Sequence, residues 1–340
     1  MKRFAATIAI ALAAGLPAHA QDAANHSWLT PDLASAAKAE GALTVYGSMN
    51  EQEALPLWKL FEDATGVKVS YVRSSDTQIM AKVAIENRTG QRIWDVAFTT
   101  TVPQLPQAYL AQFDPPEAKG LMAEARDPMR RWYGGYANYN APAYNTNFVK
   151  AADLPKRYED FAAHKEWAGK IAIDDTDDEW LAALCATYGT ERGLALVKSI
   201  VAALDPVITD GHLALARSVG AGEYWLALNN FIPLTLNVKM SGAPTDFWLI
   251  EPVPLIFGSV GVNTLAPHPN AARLAGNFVL SQEAETFMTK KGRLPTRGDV
   301  ATNPPEVGAM LKAAKIMPVV FSADDQKKWQ KTFNEVFGRH

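Results

Sequence analysis

Four places in the chain carry the same chemical signature. Ser48-x-x-Glu51, Ser75-x-x-Gln78, Thr101-x-x-Gln104 and Thr176-x-x-Glu179 each set a hydroxyl three residues before a Glu or Gln, directly after a strand-like run. This is the pattern of a capping box, in which the hydroxyl accepts an early helix amide and the acid or amide reaches back. As caps alone, such residues are worth about 1 kcal/mol each. Gathered at one cleft, the same corners would present free N–H groups and positive helix ends to a shared space, a cradle for oxyanions or polar oxygens. Arg73, beside Ser74 and Ser75, would add a charge-assisted contact to that second reading; as a solvated surface residue it would add nothing.

Other polar groups are clustered but less specific. IDDTDDEW (173–180) concentrates Asp174, Asp175, Asp177, Asp178 and Glu179 at one corner. Such acid is either a dipole-favoured first helical turn or a seat for an amine or a hard cation. Asn229 and Asn230 end a hydrophobic run, where two amides either form a turn or donate and accept in a cleft. The aromatics Trp132, Tyr133, Tyr136, Tyr139, Tyr224, Trp225 and Phe231 are packing residues or flank a ligand. The chain has no G-x-S-x-G, H-E-x-x-H or Walker-type loop, and the histidines at 26, 164, 212, 268 and 340 have no ligand spacing. Cys185 falls on the apolar side of a predicted helix, as a buried inert thiol would. Neither a cofactor nor a metal set is expected, and the enzyme signal is weak.

The elements that must position these corners alternate cleanly. ALTVY (42–46), VKVSYV (67–72) and WDVAF (94–98) read as strands; 51–65 and 76–89 carry apolar residues at helical spacing. A further helix is expected through Leu105, Tyr109 and Leu110. YGGYANYNAPAYNTNFV (133–149) is extended, then KIAID (170–174), helices at 177–188 and 191–204, PVIT (206–209), a helix at 212–221 and EYWLALNNF (223–231) make a second unit. EPVPLIFGSVGVN (251–263) is again extended. Helices are expected at 270–280, 282–291 and 324–337. This order predicts an α/β protein of two doubly wound lobes joined by two extended crossovers near 133–145 and 250–262. The first lobe would span 41–137 and 255–300, the second 138–254 and 301–340. Ligands in such sheets bind outside the carboxyl ends of the strands, so the corners are where function belongs.

Composition agrees with export. Lys2 and Arg3, the apolar run 4–15 and Ala18-His19-Ala20 form a cleavable leader, removed after residue 20, followed by a lead-in at 21–40. Position 21 is Gln, so no lipid anchor is expected, and charges or prolines interrupt every later apolar run. Without Lys2 and Arg3 the 33 basic residues become 31 against 36 acidic ones, a balance of −5 that excludes a nucleic-acid-binding face. A single cysteine allows no internal disulfide, so core packing must stabilise a chain of this length. A soluble periplasmic monomer is expected.

The chain also resembles the exported solute-binding proteins of ABC importers, in the ferric-iron-binding branch. The resemblance rests on GALTVYGSMNEQEALPLWKLFEDATGVKV (41–69), AYNTNFV (143–149) before DLPKRYEDF (153–161), LALNNF (226–231) and APHPNAARLAGNFVLSQEAETFM (266–288). It implies two hinged lobes that close on a solute and deliver it to a membrane permease. It also implies iron-ligand tyrosines where this sequence has Phe231-Ile232, an acidic ligand near Thr99 to Thr101 and a histidine near Met49-Asn50. Loss of those hard or imidazole ligands disfavours bare Fe(III). The anion-holding loop implied for the second lobe falls on Asp175-Thr176-Asp177, which disfavours a purely anionic ligand.

Together these readings assign Ser48, Asn50, Ser74, Ser75, Thr100 and Thr101 to the first lobe's side of a binding cleft. Asp175, Thr176, Asp178, Asn229, Asn230 and Phe231 form the second side. The expected ligand is a small polar organic solute, zwitterionic or bearing phosphate, phosphonate or carboxylate, with its oxygens on the first lobe and an amine near the acids of the second. A metal-ion receptor, a secreted enzyme using Cys185 and an adhesive protein without a concave site are the alternatives.

Overall fold

The structure, a computed structural model, describes residues 26–338; the expected leader lies outside them. After a lead-in helix α1 (Pro31–Glu40), the chain runs β1 (Ala42–Gly47), α2 (Glu51–Thr65), β2 (Lys68–Arg73), α3 (Asp76–Arg88) and β3 (Val96–Thr99). β1 pairs in parallel with β2 on one side and β3 on the other. Right-handed helix connections make that arrangement the natural one for alternating β and α segments. The lead-in is firmly packed: Trp28, ahead of α1, is fully buried against Phe61 and Phe278, and the carboxylate of Glu40, the last residue of α1, accepts the backbone N–H groups of Asn270 and Ala271.

The helix expected through Leu105 and Leu110 does not form. Two 3₁₀ turns, Val102–Gln104 and Gln107–Tyr109, replace it, because Pro103 and Pro106 remove the amides an α-helix would need. Leu105 and Leu110 are buried all the same.

Then comes β4 (Trp132–Asn145), followed by β5 (Ile171–Asp174), α4 (Asp178–Tyr188), α5 (Thr190–Leu204), β6 (Val207–Thr209), α6 (His212–Ala221), β7 (Leu226–Phe231), α7 (Ile232–Met240) and β8 (Thr245–Phe247). The chain returns through β9 (Val253–Val262) and ends with α8 (Pro269–Val279), α9 (Gln282–Thr289), α10 (Pro305–Ala313), β10 (Ile316–Pro318) and α11 (Ala323–Val336). The strand order is β2-β1-β3-β9-β4-β7-β5-β6, with β8 and β10 attached to β4 and β9.

β4 is the strand that ties the halves together. Its first part, from Trp132 to Tyr139, pairs antiparallel with β9; its last part, from Asn140 onward, pairs with β7 and β8. β9 in turn joins β3, antiparallel, to β4. Gly258 makes the close crossing possible: a Cβ there would stand 1.9 Å from Cζ of Tyr136.

Two large cores flank these strands. Trp58, Phe61, Phe98, Tyr136 and Phe278 belong to the first, and Tyr158, Phe161, Trp167, Trp180 and Leu184 to the second. The C-terminal segment, expected whole in the second lobe, divides between them. Val307 and Leu311 of α10 join the first core, whereas Phe333 and Val336 of α11 join the second. α11 starts at a reciprocal Ser322–Asp325 capping box and reaches back across the halves, with the Gln104 side-chain amide donating to Gln326 Oε1 at 3.1 Å.

Candidate functional site

A cavity of about 930 Å³ opens between the two halves, lined by residues from strand-to-helix corners on both sides. On the first side, Ser48, Met49 and Asn50 come from the β1–α2 corner, Ser75, Asp76, Thr77 and Gln78 from the start of α3, and Thr100 from the end of β3. Tyr136 and Asn138 of β4 add lining from the crossover, and Arg293 follows α9.

The first corner is held open by a tyrosine. Tyr71 of β2 crosses Gly47, where a Cβ would lie 2.6 Å from its hydroxyl, and donates to the Met49 carbonyl at 2.6 Å. Asn50, not Ser48, is the N-cap of α2: its side chain accepts from Glu53 N and donates to Glu53 Oε1. The box at this corner is therefore shifted by two residues from the sequence expectation. Ser48 is released from capping, lines the cavity and donates to Thr99 Oγ1 at 3.2 Å. Ser75 does cap α3, accepting from Gln78 N.

Asp76 is the distinctive group on this side. Burial raises its pKa, against the pull of the Ser48 and Thr100 hydroxyls and the charge of His212, and its Oδ1 has no hydrogen-bond partner. Arg293, by contrast, is neutralised from behind. It is buried, donates from Nε to Glu53 Oε2 at 2.7 Å, and its guanidinium lies 4.8 Å from the Tyr136 ring centroid. Burial pushes the Tyr136 hydroxyl up to about 12.

The second side comes from the β5–α4 corner (Asp174, Asp175, Thr176), the β6–α6 corner (Asp210 to Ala214), Arg217, Phe231 and Leu234, with Gln330 and Asn334 of α11 one turn apart. His212 is its hub. Nδ1 lies 3.1 Å from Asn230 Oδ1, Nε2 lies 3.4 Å from Thr176 Oγ1 and 3.6 Å from Asp174 Oδ1, and the ring stacks on Phe231 at 3.8 Å. Burial lowers its pKa, but the charges of Asp174 and Asp177 and the Asn230 bond outweigh that, so the net shift is upward. Asp174 Oδ1 accepts from the backbone and hydroxyl of Thr176, while Oδ2 is unpaired. Asp177 accepts from Asn229 Nδ2 at 2.6 Å, and burial lifts its carboxyl to about 7.

Of the residues expected to line the cleft, Ser48, Asn50, Ser75, Thr100, Asp175, Thr176 and Phe231 do so. The others are turned elsewhere. Ser74 donates to Gln78 Oε1. Thr101 precedes a 3₁₀ turn and has no helix amide to cap. Asn229 is spent on Asp177, and Asn230 on His212 and Thr235. Asp178 is fully buried in the first turn of α4, where burial raises its carboxyl to about 7. Thr176 does not cap α4 either, since Asp177 holds the N-cap position without a side-chain bond.

Sequence reasoning missed Asp76, Asn138, His212, Arg217, Arg293 and the α11 residues as lining groups. His212 was within reach, because Asp210-Gly211-His212 is another strand-to-helix corner. Gln330 and Asn334 share a helix face by their spacing. Nothing local marks Arg293. The Cys185 thiol is buried against the Thr190 carbonyl and away from the cavity, so it has no path to a substrate there. Among the described residues, no group of three or more His, Cys, Asp or Glu side chains could hold a metal ion, and no helix is long and apolar enough to cross a membrane.

The architecture has known counterparts. Iron-bound HitA from Pseudomonas aeruginosa superposes with a TM-score of 0.73 at 21% identity, over 87% of this chain and 99% of that one. AfuA from Actinobacillus pleuropneumoniae, with fructose-6-phosphate bound, gives 0.76 at 21% identity, over 88% and 99%. The ferric binding protein from Campylobacter jejuni gives 0.71 at 20% identity, over 86% and 99%. These likenesses show a type II periplasmic-binding-protein fold, ferric-binding-like in form. Residues 98–327 match the sequence profile of a bacterial extracellular solute-binding protein. The chain belongs to that family of solute-binding proteins.

Proposed function

We propose that this chain is the periplasmic solute receptor of an ABC importer, capturing a small polar organic solute between its lobes and handing it to a membrane permease. The observation that carries this reading is the mixed charge of the cavity wall. Asp76, Asp174, Asp175 and Asp210 stand with Arg73, Arg217, Arg293 and His212, so neither a bare cation nor a bare anion matches the whole site. Hydroxyls and amides of Ser48, Ser75, Thr77, Thr100 and Gln330 fill the spaces between the charges, as recognition of a multifunctional solute requires. The fructose-6-phosphate held by AfuA is a solute of this general kind. Phe231-Ile232 supplies no hard oxygen ligand, which weighs against the iron of HitA as cargo for this chain.

Transport would work by differential affinity. The solute contacts both walls only in the shut form, so it stabilises closure, with bending taken up where β4 and β9 run between the halves. The test is a thermal-shift screen of sugar phosphates, phosphonates, amino acids, polyamines and metal ions. A true solute at a hundred times its dissociation constant adds about 2.7 kcal/mol. Stabilisation by Fe(III) alone would overturn the organic-solute reading.

A further inference from the structure

The polar atoms left unpaired around the cavity are all of one kind. Among the buried side-chain atoms without a hydrogen-bond partner, those on lining residues are Asp76 Oδ1, Asn138 Oδ1 and Asp174 Oδ2. Each is an acceptor, and two belong to carboxylates. They come from three separate elements: the start of α3, the crossover β4 and the end of β5. Asn138 is 1% exposed and Asp174 is 0% exposed, so bulk water does not satisfy them. A buried polar group without a partner costs on the scale of a lost hydrogen bond or more, and most for a charge. Closing the cleft on nothing leaves those costs standing. Closing it on a group rich in donors removes them.

The other deep charges are already engaged. Arg293 is held by Glu53, and His212 by Asn230 and the Asp174–Asp177 pair. Free guanidinium groups lie elsewhere. Arg73 and Arg217 are exposed lining residues with no ion-pair partner among the described residues. Unpaired acceptors therefore form the floor of the cavity, while its exposed lining, the mouth, carries Arg73 and Arg217 as well as Asp210.

Building on the receptor reading, we propose that the solute enters ammonium-first. A primary ammonium, with three N–H donors, is seated among Asp76, Asn138 and Asp174, and the solute's phosphate or carboxylate is held at the mouth by Arg73 and Arg217. A neutral hydroxyl also donates, but a bond between ionised partners is roughly twice as strong as a neutral one. Two carboxylates at the floor thus favour the amine over the alcohol. The sequence pattern sets the solute's two ends on opposite lobes; on this proposal its axis runs from floor to mouth instead, and both lobes share each end. Asp76 is then a specificity-determining residue, since it alone of the floor carboxylates comes from the first lobe and must be brought up by closure.

Matched solutes test this. Wild-type protein is titrated calorimetrically with glucosamine 6-phosphate against glucose 6-phosphate, which differ by an ammonium in place of a hydroxyl. A shorter pair is phosphoethanolamine against 2-hydroxyethyl phosphate. The amine-bearing member of the better-binding pair is expected to bind about 30-fold tighter. Asp76→Asn should bring that ratio to within about threefold, while Asp153→Asn, at an exposed carboxylate outside the cavity, should leave it. Equal or tighter binding of the hydroxyl member by the wild-type protein overturns the proposal, and needs no variant to fold. An undiminished preference in an Asp76→Asn protein that melts like wild type also overturns it. So does failure of both pairs to bind. In that last case the receptor reading survives if another organic solute of the screen stabilises the chain, and falls if none does.

Discussion

The two walls of the cleft are built to opposite rules. The second wall spends most of its polar groups on one another: Asp174 Oδ1 on Thr176, Asn230 on His212, Asn229 on Asp177, with Asp174 Oδ2 left over. The first wall is less cross-linked between elements, with Asp76 Oδ1 unpaired and the exposed Thr77 among the lining residues. A closed network inside a low-dielectric wall is rigid and costly to break, whereas open groups cost little to lose until a solute arrives. The contrast teaches that one wall is a preformed mould and the other the gripping surface. Substitutions on the mould should be read in stability, and those on the grip in affinity.

The sharpest way to break that contrast is Asn229→Ala. It strips Asp177 of its 2.6 Å donor in a fully buried setting and should cost about 2–3 kcal/mol in urea denaturation. A loss no larger than that of a surface substitution would mean the second wall is not a network in the energetic sense.

pH should act on the same wall. Asp177 has its ordinary value of 3.8 in the unfolded chain and about 7 in the folded one, so between these values the folded state holds more protons. Its contribution to stability is full below about pH 4 and is lost as pH rises through about 7. The upward shift of His212 adds a loss of the same sign at and above the ordinary histidine range. The melting temperature should therefore fall from pH 5 to pH 8, and Asp177→Asn should flatten the fall.

Smaller effects belong to the first wall. Asn50→Ala removes the α2 cap and should cost about 1 kcal/mol in the same denaturation experiment. Thr77→Ala, at an exposed lining residue, should change stability by less than about 0.5 kcal/mol, yet weaken a bound solute by about 5- to 10-fold in calorimetric titration. Equal stability losses for Thr77→Ala and Asn229→Ala would erase the distinction between mould and grip.

Much of this was legible in the sequence because it is local. Alternation of β-branched runs with amphipathic helices announced the β1–α2–β2–α3 unit, and the hydroxyl-bearing corners pointed to the edge of the sheet where the cavity opens. Two kinds of information were not local. Which residue of a corner caps its helix depends on how the chain enters the turn. At 48–53 the Tyr71 bond to Met49 accompanies a shift of the cap to Asn50 and a freed Ser48. Which polar side chains face the cavity depends on partners far along the chain. Asn229 and Asp177 are 52 residues apart, and Arg293 and Glu53 are 240 apart. The failed helix after β3 was readable in principle from Pro103 and Pro106, but the apolar spacing of Leu105, Tyr109 and Leu110 outweighed them.

Closure on a solute is the claim on which the transport reading stands, and small-angle X-ray scattering measures it directly. The protein is recorded alone and saturated with the organic solute that most raises its melting temperature. The radius of gyration should fall on saturation and recover when the solute is dialysed away. An unchanged scattering curve at full occupancy would show a solute that binds without drawing the two walls together, and would contradict capture by closure.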